Sequence, residues 1–367
     1  MKSIASPNYR VAAGISGGRI VMYEDQIIPG YSHQPGFHCA SSAIRNVLAF
    51  QGIKVSEPTV IGLGRAPGFS YQIIQGRPSR LVHTRCFPME DNFFRTVGVK
   101  FQWREEENAA EATRLAIAAV NRGLPVLVQT DIAYLPYFNT DQHFPGHAVV
   151  ICGYNDKKEE FYVSDTLHPE MLAVAIADME RARSAVFPPY ALKNKSFVPE
   201  DFSGFHVDEA VVRGAVRQWA EENLNGLPGL PVAYGVNSLE MFVRDLSNWQ
   251  DVSDWQWSAR FTYQVIERRG TGGAGFRTLY RQFLEEQEKQ YLVLQQLGLS
   301  SGLVVIENLY HDAAAIFRQI SEGDVPDFSP ALPVLKKLVE HEKNFYQKIL
   351  LEHRFSRSYN RHLRTRV

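Results

Sequence analysis

Residues 147–154 read HAVVICGY and residues 161–164 read FYVS, with the polar segment 155–160 between them. Two short apolar, β-branched runs separated by a polar turn predict an antiparallel hairpin. With its turn centred near Asp156 or Lys157, position 147 faces positions 165 to 167. His147 follows Pro145-Gly146 at the mouth of one strand, and Asp165 stands at the exit of the other. The hairpin therefore predicts an imidazole and a carboxylate at one end of a sheet. A register slip of one residue would part them.

The rest of the first half alternates helical and strand signals. Residues 39–50 carry apolar or small side chains at Ala40, Ala43, Ile44, Val47 and Leu48, which is helical spacing, and Gly52 follows as a stop. Residues 109–121 predict a second helix, ended by Gly123, and residues 125–130 (PVLVQT) a buried strand. The glycine-rich residues 61–70 (IGLGRAPGFS) are expected to be loop, and residues 171–183 helix. Pro188, Pro189 and Pro199 lie among polar residues between 187 and 208, which marks a domain junction. Beyond it the chain turns helical: residues 277–296, 302–320 and 332–351 are long, charged and amphipathic. The fold class expected is α+β, with a domain over 1–190 built on an antiparallel sheet and a mainly helical domain over 191–367.

Residues 31–38 (YSHQPGFH) are polar and contain Pro35 and Gly36, so the first helix starts at or just after Cys39. A thiol there faces unpaired backbone donors and the positive end of the helix dipole, which favours the reactive thiolate. The plainer alternative is a buried structural cysteine. Cys152, inside HAVVICGY, reads as structural and Cys86 as a bystander. Cys39, His147 and Asp165 form a candidate triad of nucleophile, base and orienting carboxylate. The backbone N–H of Cys39 and the side-chain amide of Gln34, five residues upstream, are candidate oxyanion donors.

Asp131 ends the strand PVLVQT and leads into IAYLPY, so a carboxylate stands beside Tyr134 and Tyr137. It suits a cationic amine, or equally the cap of a turn. His33 and His38 flank the nucleophile loop, and His38 is a candidate substrate contact. Pro145-Gly146 between His143 and His147 excludes helical i, i+4 ligation, and no metal is expected. The glycine-rich residues 270–276 (GTGGAGF) lack the Lys-Ser/Thr of a phosphate-binding loop and read as a tight turn.

The 367 residues are 45% hydrophobic and 22% charged, with a formal net charge of -1. That balance argues against nucleic-acid binding. Three cysteines are too few for a disulfide framework. Residues 1–25 hold no apolar core of signal-peptide length, and no apolar run is long enough to span a bilayer. The expectation is a cytoplasmic protein with free thiols.

The His38-Cys39 step, VIGLGRAPGF, Arg77, GLPVLVQTDIAYLPY, HAVVICGYND and FYVSD resemble the N-terminal domain of the butirosin biosynthesis protein H family. GVNSLEMFVRDL and GTGGAGFRTLYRQFLEE resemble the helical domain of unknown function that often follows it. The resemblance implies a papain-like catalytic fold and an acyltransferase that moves an acyl or aminoacyl group from an acyl-carrier-protein thioester to a small amine acceptor. Cys39 then matches the nucleophile, His147 the base and Asp165 the third member. No resident cofactor is implied, because phosphopantetheine arrives on the donor. A cysteine peptidase, amidase or thioesterase would use the same triad with water as acceptor. The helical half suits a lid, a docking face or a homo-oligomer contact.

Overall fold

A computed structural model describes residues 26–352, apart from 87, 188, 189, 228, 230 and 231. The fold is mixed α and β, and its sheets are antiparallel. The chain folds as two compact units, each gathered from separated segments. Among the described residues, one takes 26–35, Ala49–Gly52 and Trp103–Glu200; the other takes Gly36–Leu48, Ile53–Gln102 and 201–352.

The first unit is built on one sheet. Its strands run in the spatial order Ser196–Phe197, Val126–Asp131, Pro145–Asn155, Glu160–Ser164 and Leu172–Ala175, and Gln26–Ile27 also pairs with Pro145–Asn155. From His147 to Asn155 every residue of the central strand is buried, as the apolar run HAVVICGY requires. Helix Ala109–Asn121 packs against that strand through Ala112, Ala116, Ala119 and Val120, and helix Ile176–Ser184 packs against Val126–Asp131. The expected helix and two hairpin strands are all present. Residues 171–183 differ from expectation: they open with the strand Leu172–Ala175, paired with Glu160–Val163, before turning helical. The open edge of Glu160–Ser164 offers backbone partners that outweigh local helical propensity.

Two bulges frame His147. Thr130 faces His147 but Asp131 faces Pro145, so Gly146 is a surplus residue, with φ +97°. Further along, Ile151 faces Val163 but Gly153 faces Tyr162, so Cys152 is surplus in the pairing with Glu160–Ser164. An extra residue on one strand re-aims the side chains beside it.

The second unit is mainly helical. It holds the helix starting at Cys39, helices Glu57–Leu63 and Met89–Thr96, the hairpin Pro67–Ile73/Arg80–Arg85, and helices Glu209–Asn225, Val236–Asp245, Trp255–Glu267, Arg277–Gln290, Leu292–Leu297, Leu299–Glu322 and Ala331–Leu351. Trp219 stacks on Tyr280 at 4.0 Å between ring centroids and meets Tyr346 edge-on at 5.0 Å, all three buried. The helix expected over 277–296 breaks at Tyr291, whose backbone is extended.

The expected loop at 61–70 is instead a helix end and a strand. Ser56 caps Glu57–Leu63 by accepting the Thr59 N–H at 3.0 Å. The glycines are there for packing: a Cβ at Gly62 would lie 2.2 Å from the Phe283 ring, and one at Gly68 1.9 Å from the Tyr234 hydroxyl. Residues 270–276 form a turn with positive φ at Gly270 and at every residue from Gly272 to Phe276, immediately before helix Arg277–Gln290. Arg277, fully buried, donates to the Gly68 and Gly275 carbonyls and pairs with Glu342 at 2.7 Å.

Candidate functional site

In the sheet unit, His147 Nε2 lies 3.0 Å and 2.9 Å from the two carboxylate oxygens of Asp165. Asp165 follows the last residue of strand Glu160–Ser164 and is 1% exposed. The hairpin turn falls at 156–159, so its register brings the two side chains together as the sequence predicts. A carboxylate only accepts, so Nε2 carries the proton and a neutral ring keeps its lone pair on Nδ1. The Phe138 ring stands edge-on to the imidazole, with centroids 5.1 Å apart.

Asp165 has two further donors. The Thr166 N–H donates to Oδ1 at 2.6 Å and the Tyr137 hydroxyl to Oδ2 at 2.6 Å. Burial pushes the Asp165 carboxyl up, but the charge and hydrogen bond of His147, with the Tyr137 and Thr166 donors, hold it below the usual carboxylate range. Burial and the Asp165 charge push the Tyr137 hydroxyl far up, so it stays a donor. In the sequence Tyr137 stands near Asp131 and reads as part of that group. Its role on Asp165 needs the three-residue turn Pro136–Phe138, which no local pattern announces.

Asp131 is fully buried at the end of strand Val126–Asp131. It accepts from the Ala133 N–H at 3.2 Å and the Phe144 N–H at 2.9 Å, and His143 Nδ1 lies at 2.8 Å. It is the cap of its turn, the second of the two roles its sequence position suits. Tyr134 lies beside it, its ring 5.8 Å from His143 and under the Arg181 guanidinium at 5.7 Å. His33 is a brace in this unit, bonded to Ser164 Oγ and the His168 carbonyl at 2.7 Å each. Gln34 follows it on the surface. No cluster of three or more metal-binding side chains occurs among the described residues.

In the helical unit, Cys39 is the first residue of its helix and is partly exposed. His38 precedes it as the cap: its Nδ1 accepts the Ser41 N–H at 3.3 Å, while its Nε2 lies 3.9 Å from the Cys39 sulfur. Glu57 accepts the N–H groups of Phe37 (3.0 Å) and His38 (2.8 Å) and the Ser41 hydroxyl (2.8 Å). Gly36 makes room for this carboxylate, since a Cβ there would lie 2.5 Å from Glu57 Oε2. The turn at 270–276 backs the same segment. A Cβ at Gly270 would lie 3.1 Å from the Phe37 carbonyl oxygen, and the Phe276 ring meets the His38 imidazole edge-on at 5.2 Å. A thiol at the first turn of a helix, beside N–H donors, suits nucleophilic chemistry.

The other two thiols are differently placed. Cys86 and Cys152 are fully buried, and burial pushes both up to about 12. The structure thus sets Cys39 with His38 in one unit, and His147 with Asp165 in the other.

Residues 38–166 match the family described as butirosin biosynthesis protein H, N-terminal, and residues 177–349 match a domain of unknown function, DUF4872. A search of curated proteins returns no match.

Proposed function

The chain belongs to the butirosin biosynthesis protein H family, and from that premise we propose that it is a cysteine-dependent acyltransferase of secondary metabolism with a papain-like catalytic arrangement. In this reading the donor is an acyl or aminoacyl thioester on the phosphopantetheine of a carrier protein, and the acceptor is a small amine. The Cys39 thiolate attacks the thioester carbonyl; the new bond is Cys39 S–C, and the pantetheine C–S bond breaks. The imidazolium of His147 protonates the leaving thiolate. The amine then attacks the acyl-enzyme, its N–H proton passes to His147, the C–N bond forms and the Cys39 sulfur leaves. Amide formation makes the sequence downhill.

The observation that supports this reading most is the His147–Asp165–Tyr137 chain. It fixes the imidazole tautomer with its proton on Nε2 and its lone pair on Nδ1, as a general base needs. The Cys39 backbone N–H, at the helix start, and the Gln34 amide are the proposed oxyanion donors. Asp131 and Tyr134 are proposed to act on the amine side, with Asp131 shaping the turn that carries Tyr134.

Exposure to a panel of acyl-phosphopantetheine thioesters, followed by intact-mass analysis, is expected to show one acyl adduct, mapped to Cys39. Adding amines should discharge it to amide. A Cys39→Ser protein that still forms amide from the same donor at the parent rate overturns the assignment, and discharge to free acid alone makes the enzyme a hydrolase.

A further inference from the structure

The Cys39 sulfur has the His38 imidazole beside it, and the helix start determines what that ring can do. His38 is the residue before the first helical residue, so its side chain meets the open N–H groups of the first turn. Its Nδ1 lies 3.3 Å from the Ser41 backbone nitrogen. A backbone N–H has no alternative tautomer and can only donate, so Nδ1 must present its lone pair. The Ser41 Oγ, 3.4 Å from the same Nδ1, is the longer contact and gives its own proton to Glu57 Oε1 at 2.8 Å, so the Ser41 N–H, which can only donate, sets the role of Nδ1. The His38 ring proton is therefore on Nε2, the atom 3.9 Å from the Cys39 sulfur.

We infer that His38 donates its Nε2–H to the Cys39 sulfur and stabilises the thiolate as a neutral hydrogen-bond donor, never as the base that deprotonates it. Taking up a proton would put N–H on Nδ1, directly against the Ser41 N–H, and would break the cap. The 3.9 Å separation is long for an N–H···S bond and shortens as charge gathers on sulfur. The Phe276 ring, edge-on at 5.2 Å, keeps the imidazole from swinging away, and Phe276 is set there by the turn at 270–276. This gives the glycine-rich motif a role: it backs the residue that steadies the nucleophile.

Charged groups near this thiol in the helical unit include Glu57 and Arg45, paired at 3.9 Å, and Arg85, paired with Glu90 at 3.3 Å. Burial works against the charge on Arg85, while Glu90 and then Cys39 favour it, so Arg85 and the Cys39 thiolate support each other. Glu57 opposes the thiolate, but two backbone N–H groups and the Ser41 hydroxyl spread its charge.

The inference rests on the reading of Cys39 as nucleophile, and its test separates the two. His38→Asn keeps an acceptor for the Ser41 N–H, since asparagine caps helices well, but has no atom at the Nε2 position. Site-resolved iodoacetamide labelling of Cys39 across pH is expected to shift to higher pH in His38→Asn, with labelling at neutral pH about tenfold slower and full rate regained in alkali. His38→Gln, whose amide nitrogen falls near the lost Nε2, should recover part of the rate. Superimposable profiles for the parent and His38→Asn, at equal melting temperature, would reduce His38 to a cap and overturn the inference. Nitrogen NMR of the His38 ring in the unaltered protein is an independent check: protonation at Nδ1 overturns it as well. If His38→Asn shifts the labelling while no acyl adduct ever forms on Cys39, the donor role stands and the acyltransferase reading falls.

Discussion

The His147 ring nitrogen Nε2 sits 2.9 Å from Asp165 Oδ2, with both side chains buried at one end of the sheet. A carboxylate there orients the ring and stabilises its protonated form. Asp165→Ala is expected to lower amide formation by about two orders of magnitude. Asp165→Asn still accepts from Nε2–H but carries no charge, so its loss should be smaller. Single-turnover rates with an acyl thioester and an amine check both. An alanine variant at the parent rate removes Asp165 from the mechanism.

Tyr137 gives a prediction about pH and stability. Its hydroxyl is one of the groups that hold the Asp165 carboxyl below the ordinary carboxylate range. A carboxyl with a depressed folded-state value contributes stability above the unfolded value, about 3.9 for aspartate, and loses it as pH falls through the folded value. Tyr137→Phe raises the folded value toward the unfolded one. The variant should melt lower at neutral pH by the equivalent of about 1–2 kcal/mol, and that deficit should shrink in acid. Melting curves between neutral pH and pH about 3 test it. A deficit that is constant with pH would mean only lost packing.

The three thiols should differ sharply toward alkylation. Burial pushes Cys86 and Cys152 up to about 12, whereas Cys39 is partly exposed. Brief iodoacetamide treatment of the folded protein near neutral pH should add one carbamidomethyl group, on the peptide holding Cys39. Three adducts should appear only after denaturation. Labelling of Cys86 or Cys152 in the folded chain would contradict the packing described.

Glycine at position 62 is predicted to be irreplaceable for steric reasons rather than flexibility. A Cβ there would stand 2.2 Å from the Phe283 ring, and Phe283 is fully buried. Gly62→Ala should cost about 1–3 kcal/mol in urea unfolding. A smaller side chain at 283, as in Phe283→Leu, should lessen the added cost in the double variant. Additive losses would show that the two positions do not meet.

The parts of this molecule that sequence made legible are those governed by local pattern. The helix beginning at Cys39, the helix Ala109–Asn121 and the hairpin joining Pro145–Asn155 to Glu160–Ser164 each follow from apolar spacing and a turn signal. Asp165 was reachable for the same reason: hairpin register is arithmetic once the turn is known. Other features depend on distant partners. Gly62 and Gly68 look like loop residues until Phe283 and Tyr234 are seen to fill the space beside them. Residues 172–175 look helical until the free edge of Glu160–Ser164 claims them. Tyr137 looks like a neighbour of Asp131, yet its hydroxyl goes to Asp165, across 28 positions of chain. The two-unit division draws Gly36–Leu48 and Ile53–Gln102 together with the C-terminal helices, which no linear reading conveys.

The surplus residue at Cys152 has a consequence for anyone editing this chain. Strand side chains alternate, but a bulge takes in one extra residue without advancing that alternation. Counted from the turn at 156–159, His147 keeps its facing because Cys152 is absorbed in this way: Ile151 and Gly153 oppose the consecutive residues Val163 and Tyr162. Excising Cys152 would therefore only regularise the hairpin, whereas excising one residue between Ala148 and Ile151 would keep His147 and Asp165 in the chain yet turn the imidazole to the opposite side of the sheet. Parity, as much as identity, is what this strand must preserve.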